Sequence, residues 1–233
     1  MSKKHTISAA ILLLISFWFS DLLAAQYFPD DLNMPAREKR AFVSGYPKVF
    51  KSMKETPLWL LAKDRKKISY RLIQSQRNKE HWSRQWVILR LDRSAKMSWV
   101  LTIKQTKRSR SDQNSKVNRK RRLSKEEVKE FQELFAQLQF WELPSVGALE
   151  HEEGWLDFPS IWILEAVENG RYHLVQRIVP TSTHWVPDRQ YQRMKEEEGY
   201  PDIDRATSEE VNRRLVAVGE FLVNLSGLEL ELH

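Results

Sequence analysis

Glu165 and His173 come closest to an acid–base pair in this chain. They lie on either side of Asn169-Gly170, with Trp162 and Arg177 flanking them. A carboxylate beside an imidazole is the pairing that general acid–base catalysis uses. The local pattern separates the two, however. Ile161–Glu168 and Arg171–Pro180 are runs rich in β-branched and aromatic residues, and Asn-Gly between such runs signals a hairpin, because a type I′ turn needs φ > 0 at both central residues. A two-residue turn sets Glu168 opposite Arg171, and counting back sets Glu165 opposite Leu174, Ala166 opposite His173 and Trp162 opposite Arg177. Side chains alternate across a strand. Glu165 therefore shares a face with Ile163, Val167, Tyr172 and Leu174, while His173 shares the other with Trp162, Leu164, Val175 and Arg177.

Trp162, Glu165, His173 and Arg177 form a candidate polar cluster on this hairpin, with no catalytic role assigned. Glu165 interrupts an apolar face, and a buried carboxylate must be paired or stay protonated. The expected partner is an arginine of an adjacent strand, Arg71 or Arg90. Trp162 opposite Arg177 predicts a cation–π contact of about 0.5–1 kcal/mol.

Other chemistry is thinly signalled. His151, Glu152 and Asp157 offer metal-ligand types, but no H-E-x-x-H occurs and zinc needs three or four converging ligands. No metal is assigned. Ser182 and His184 are close in sequence without a G-x-S-x-G elbow around the serine. The chain has no cysteine, which excludes thiolate nucleophiles, thiolate metal sites and disulfides. Its 7 glycines make no G-x-G-x-x-G or phosphate loop, so no cofactor is expected.

Charge is the strongest feature. Lys107, Arg108, Arg110, Lys116, Arg119, Lys120, Arg121 and Arg122 face a single acid, Asp112, and together account for the whole formal charge of +7. With one aliphatic residue, Val117, and no aromatic, the stretch 107–122 is expected to be a disordered basic loop. Such a loop suits an anionic surface, where each Lys or Arg is worth about 1 kcal/mol. The partners this points to are an anionic lipid or an envelope glycan. Nucleic acid is disfavoured, because stacking on single strands needs aromatics interleaved with the charge.

The elements that position these residues read as α+β. Lys67–Gln76, Gln85–Asp92 and Trp99–Thr106 predict a three-stranded meander, with a strand also beginning at Leu58–Leu61. Ser124–Glu127 is a capping box, S-x-x-E, with Leu123 placed to staple onto Val128. Val128, Phe131, Leu134, Phe135 and Leu138 follow at helical spacing. Thr207–Glu210 repeats the box ahead of Val211, Leu215, Val218, Leu222 and Leu225, and Gly227 ends that helix. A shorter charged helix is expected near Asp188–Glu198. The expected whole is an antiparallel sheet, meander plus hairpin, packed by two main amphipathic helices.

Residues 1–25 have the layout of a secretory signal. Lys3 and Lys4 precede an apolar run from Ile7 to Phe19, and Ala24-Ala25 follows. Thirteen apolar residues fall short of the roughly 20 that span a bilayer. Residues 26–57, punctuated by Pro29, Pro35, Pro47 and Pro57, predict an irregular arm with one short helix at Ala36–Val43. Residues 58–233 then form one domain.

Trp162, Glu165, Tyr172, His173, Arg177 and Pro180, preceded by Phe140-Trp141 and Leu143-Pro144, resemble a pattern in a family of uncharacterised bacterial secreted α+β proteins. The resemblance runs from Pro57 to Gly227. The family carries Asp-Gly before the first tryptophan, where this chain has Asp157-Phe158-Pro159-Ser160. It has no established activity, so the resemblance implies export and fold and no site. Together these features predict a periplasmic or secreted binding module, non-enzymatic, whose basic stretch meets an anionic surface. The alternative is a hydrolase or glycan-processing enzyme using Glu152, Asp157, Glu165 and His173. Another is a protein-binding role for loops bearing Trp82, Trp155 and Trp185.

Overall fold

The computed structural model describes residues 27–29, 31–32, 34, 36–78, 83–107, 115–146, 161–178 and 205–228. The N-terminal segment 1–25, the three loop tryptophans, His151–Asp157, Ser182, His184 and the 188–198 stretch lie outside the described residues.

The protein is α+β, built on one six-stranded antiparallel sheet. Its strands are β1 (Ser69–Asn78), β2 (Ser83–Arg93), β3 (Trp99–Lys107), β4 (Ser115–Arg122), β5 (Ile161–Glu168) and β6 (Arg171–Ile178), in spatial order β4-β3-β2-β1-β5-β6. The consecutive run thus has four strands rather than three. The fourth is the latter half of the stretch expected to be a disordered loop. β-Propensity is weak in a Lys- and Arg-rich segment, but tertiary context overrides it: β4 pairs along its length with β3, from Val100↔Arg122 to Lys107↔Ser115.

β1 closes the meander onto β5, with Arg71 facing Glu165 and Gln74 facing Trp162. β5 turns into β6 through Asn169 and Gly170, at φ 54 and 79, with Glu168 facing Arg171.

Two long helices cover one face of the sheet: α3 (Lys125–Leu138) and α4 (Arg205–Ser226). The labels α1 and α2 belong to Ala36–Ser44 and Tyr46–Ser52, on the opposite face. The Ser124 hydroxyl accepts from Glu127 N, and the Glu127 carboxylate accepts from Ser124 N, a complete capping box. α4 begins at Arg205, so Thr207 lies inside the helix and is not its cap. Gly227, at φ 59, follows its last turn.

Under these helices lie Leu72, Leu89, Leu91, Leu101, Ile103, Leu164 and Val175, together with Phe131, Phe135, Leu215 and Leu222. Gly219 sits directly on the indole of Trp162: a Cβ there would come within 1.7 Å of a ring carbon. The helix crosses the sheet at that closeness only because the position has no side chain.

The other face is where the structure departs most from expectation. The arm has the short helix expected at Ala36–Val43, as α1, but also a second, α2, and together they seat Phe42, Tyr46 and Phe50, with Tyr27, Phe28 and Met53, on Ile73, Ile88, Ile163 and Leu174. Phe28 and Phe42 meet edge to face at 4.9 Å between ring centroids, a favoured geometry for aromatic pairs. The arm is therefore a third layer of the domain rather than a prelude to it. Leu58–Lys63, where a strand was expected to begin, forms a 3₁₀ turn after Pro57. A short apolar run without alternation fits either form.

Candidate functional site

Three polar assemblies result from this arrangement, and the hairpin residues are divided among them.

The first lies between the sheet and the arm. Arg71, wholly buried, donates from Nε to Glu165 Oε2 at 2.7 Å, and from Nη1 to Glu55 Oε2 at 3.2 Å and Thr56 O at 2.8 Å. Arg90 reaches the same Glu55 oxygen at 2.5 Å and holds Asp92 at 2.9 Å. Lys104 Nζ stands 2.6 Å from Glu55 Oε1 and donates to Met53 O and Lys54 O at 2.9 and 3.0 Å. The Tyr172 hydroxyl donates to Glu165 Oε1 at 2.8 Å. Three cations thus face three carboxylates, and Phe50 lies 5.0 Å from the Arg71 guanidinium carbon as a cation–π lid.

Burial pushes the Glu55 carboxyl up, but Arg90, Arg71 and Lys104 together hold it below the usual carboxylate range. Burial, reinforced by the charge of Glu165, pushes the Tyr172 phenol well up. Every carboxylate here is committed to a cation, and Glu55 and Glu165 have no access to solvent. This is a structural clamp, with no free base to offer a substrate. Glu55, the hub of the clamp, carried no signal in a proline-punctuated arm; Arg71 and Arg90 stood out only as possible partners for Glu165.

The second assembly is on the helix side of β6. His173 Nε2 donates to Leu143 O at 2.8 Å, and burial lowers its pKa. Arg177 does not stack on Trp162; it donates to Gln176 O at 2.6 Å and Pro144 O at 3.1 Å. Burial pushes its pKa down to about 10. Both side chains fasten the segment Leu143–Val146 along β6, where Gln176 N also donates to Ser145 O at 2.7 Å. Trp162 is buried under Gly219 on this side as well.

The candidate cluster is therefore split. Glu165 is on the arm side, whereas Trp162, His173 and Arg177 are on the helix side. Glu165 and His173 cannot act on one substrate atom. Glu152 and Asp157, the other carboxylates of that reading, lie outside the described residues. Among the described residues no group of three or more His, Asp or Glu is arranged to hold a metal. A cleft of about 520 Å³ between the end of α3 and the start of α4 is lined by Gln137, Glu210, Arg213 and Arg214 among others. Glu210 is already paired with both arginines there, and the described lining residues include no hydroxyl or imidazole.

The third assembly is the β4 edge. Of the eight cations singled out, Arg108 and Arg110 lie outside the described residues. Lys107 ends β3, and Lys116 is the second residue of β4. Arg119 and Arg121 face the helix side, opposite Ile103 and Leu101. Arg119 Nη2 donates to Ser226 O at 2.5 Å and Arg121 Nη1 to Leu225 O at 3.0 Å, so both bind the carbonyl end of α4. Arg121 also pairs with Glu127 of the α3 capping box. Lys120 and Arg122 project from the arm side, exposed and without an acidic partner among the described residues.

No family model matches this chain, and no curated protein sequence matches it. Among the described residues no helix is long and apolar enough to cross a membrane.

Proposed function

We propose that this protein is an exported, non-enzymatic module of the cell envelope whose basic β4 edge contacts an anionic surface, lipid or glycan. The observation that supports this is the placement of five cations among the eight residues of an edge strand. An edge needs some charge to resist pairing with another chain. β4 carries more than that purpose requires, and the strand fixes the charges in a row rather than leaving them on a loop. Arg119 and Arg121 serve the fold, while Lys120 and Arg122 remain for a partner. Export through residues 1–25 belongs to the same reading, as does the likeness to secreted α+β proteins.

The test is vesicle binding by the chain from Gln26 onward, which contains both cores. Lys120→Gln/Arg122→Gln is compared with the parent on phosphatidylglycerol and on phosphatidylcholine vesicles. Binding that needs the anionic lipid, weakens with salt and drops about tenfold or more in the variant supports the reading. Salt-insensitive binding, or none to either vesicles or an acidic glycan, sinks it.

A further inference from the structure

The arm and β4 are remote in sequence, yet they share a seam. Lys104 of β3 pins the end of α2 over the sheet through Met53 O and Lys54 O. Beside it opens a cleft of about 210 Å³, lined by Met53, Lys54, Lys104, Val117 and Asn118 among others. Met53 gives it an apolar wall, and Lys54 stands exposed at its rim. Lys120 lies two residues along β4 from Asn118 on the same face, about 7 Å away.

The charge around this seam is one-sided. From Ala36 to Lys54 the sequence holds six cations and one acid. Tyr46 and Phe50 turn one side of α2 to the core, so Lys48 and Lys51, both exposed, project from the opposite side, away from the sheet. Lys120 and Arg122 project from the same side of the sheet. Among the described residues, Asp92 and Glu165 of that sheet face and Glu55 of the arm are held by Arg71, Arg90 or Lys104. The clamp thus consumes the anions and leaves lysines of the arm and β4 outside.

Lys54 is also held at φ 53, in the left-handed region that favours glycine or asparagine. It is the left-handed residue that ends α2, with Glu55 N donating back to Phe50 O and Lys54 N to Lys51 O, and this stop sets the lysine at the rim of the cleft.

Resting on the anionic-surface reading, we infer that this seam is a headgroup site for an anionic phospholipid. Its phosphate lies between Lys54 and Lys120, the start of its acyl chains meets Met53, and Lys48, Lys51 and Arg122 flank it on the bilayer surface. Charge complementarity selects a lipid anion, and the apolar wall at Met53 favours an amphiphile over a free phosphate.

The chain from Gln26 is titrated against phosphatidylglycerol vesicles, with Lys54→Asn compared with Lys48→Gln. Each variant removes one cation, but only the first removes it from the cleft. Asn suits the left-handed backbone, so Lys54→Asn is expected to melt no lower than the parent. Lys48→Gln is expected to weaken binding about fivefold, the worth of one surface cation, and Lys54→Asn by tenfold or more. Equal losses would mean diffuse attraction and overturn the headgroup site while leaving the anionic-surface reading intact. Loss with Lys120→Gln/Arg122→Gln but none with Lys54→Asn would do the same. No binding by the parent overturns both. Glycerol phosphate is added as competitor: inhibition at millimolar concentration would show that a free phosphate suffices and overturn the choice of a lipid.

Discussion

The two faces of the sheet are built on different principles. On the helix side, rows such as Leu72–Leu89–Ile103 and Ala166–Tyr70–Leu91–Leu101 meet aromatic and aliphatic residues of α3 and α4. Cohesion there is non-directional and follows the apolar area buried. On the arm side an isoleucine row, Ile88–Ile73–Ile163, lies beside the charged row Arg90–Arg71–Glu165. Apolar contact alone would let a short arm slide. A carboxylate that must meet three cations fixes it at one place. The net stability of such a buried network is small compared with a well-packed apolar substitute, but leaving any member unpaired is costly. The comparison separates what holds the domain together from what fixes the register of its third layer.

Removing Glu55 should break that contrast most sharply. Glu55→Ala leaves Arg71, Arg90 and Lys104 clustered around an empty position, and we expect a loss of about 3–5 kcal/mol in urea unfolding. Replacing a whole pair, Arg71→Met with Glu165→Leu, should cost clearly less than Arg71→Met alone, because no buried carboxylate is stranded. If Glu55→Ala costs under about 1 kcal/mol, the aromatic contacts of the arm suffice and the clamp is incidental.

The helix side has its own test at Gly219. Helix propensity alone would favour alanine by about 1 kcal/mol. The Cβ would meet the Trp162 ring at 1.7 Å, closer than any real contact, so Gly219→Ala should instead destabilise by about 1–3 kcal/mol. A neutral or stabilising result would mean that α4 can lift from the sheet at little cost.

Acid should separate the two sides by pH window. The Glu55 carboxyl is held below its ordinary value of 4.5, so its contribution is complete above that value and is lost as the pH falls through the lowered one. His173 is lowered from 6.5 by burial, so the folded state prefers the neutral ring. Its contribution is present above 6.5 and is lost as the pH falls through the lowered value. Melting temperature should therefore decline in two stages, the upper one abolished by His173→Gln and the lower one by neutralising the clamp. A single stage unaffected by His173→Gln would contradict this account.

What could be read beforehand follows the same division. Alternation from Asn169-Gly170 separates Glu165 from His173, and the rule that a buried carboxylate needs a cation left Arg71 and Arg90 as alternatives. The structure gives Glu165 to Arg71 and Arg90 to Glu55 and Asp92; both inferences rest on local periodicity and on the cost of a bare charge. Glu55 could not be found that way, since its partners are supplied by strands that follow it in sequence. Nor could β4: Lys, Arg and Asn read as loop, and only the unpaired edge of β3 and the carbonyl end of α4 make a strand of them. The 3₁₀ turn at Leu58–Lys63 and the early start of α4 are boundary differences set by packing.

The smallest expected effect tests whether β4 belongs to the fold or only to the surface. Arg119 and Arg121 donate to the last carbonyls of α4, where positive charge also meets the negative end of the helix dipole. Arg119→Gln and Arg121→Gln should each lower stability by about 0.3–1 kcal/mol, less at high salt. Lys120→Gln and Arg122→Gln, which face the other way, should leave stability unchanged within about 0.5 kcal/mol. Hydrogen exchange at Val223–Ser226 is the more direct readout, since only the first pair should release the end of α4. Alternating residues of one strand would then divide by direction, one set closing the helix and the other left free for an anionic partner. If all four variants behave alike, that division fails, and the basic edge acts as an undifferentiated charge.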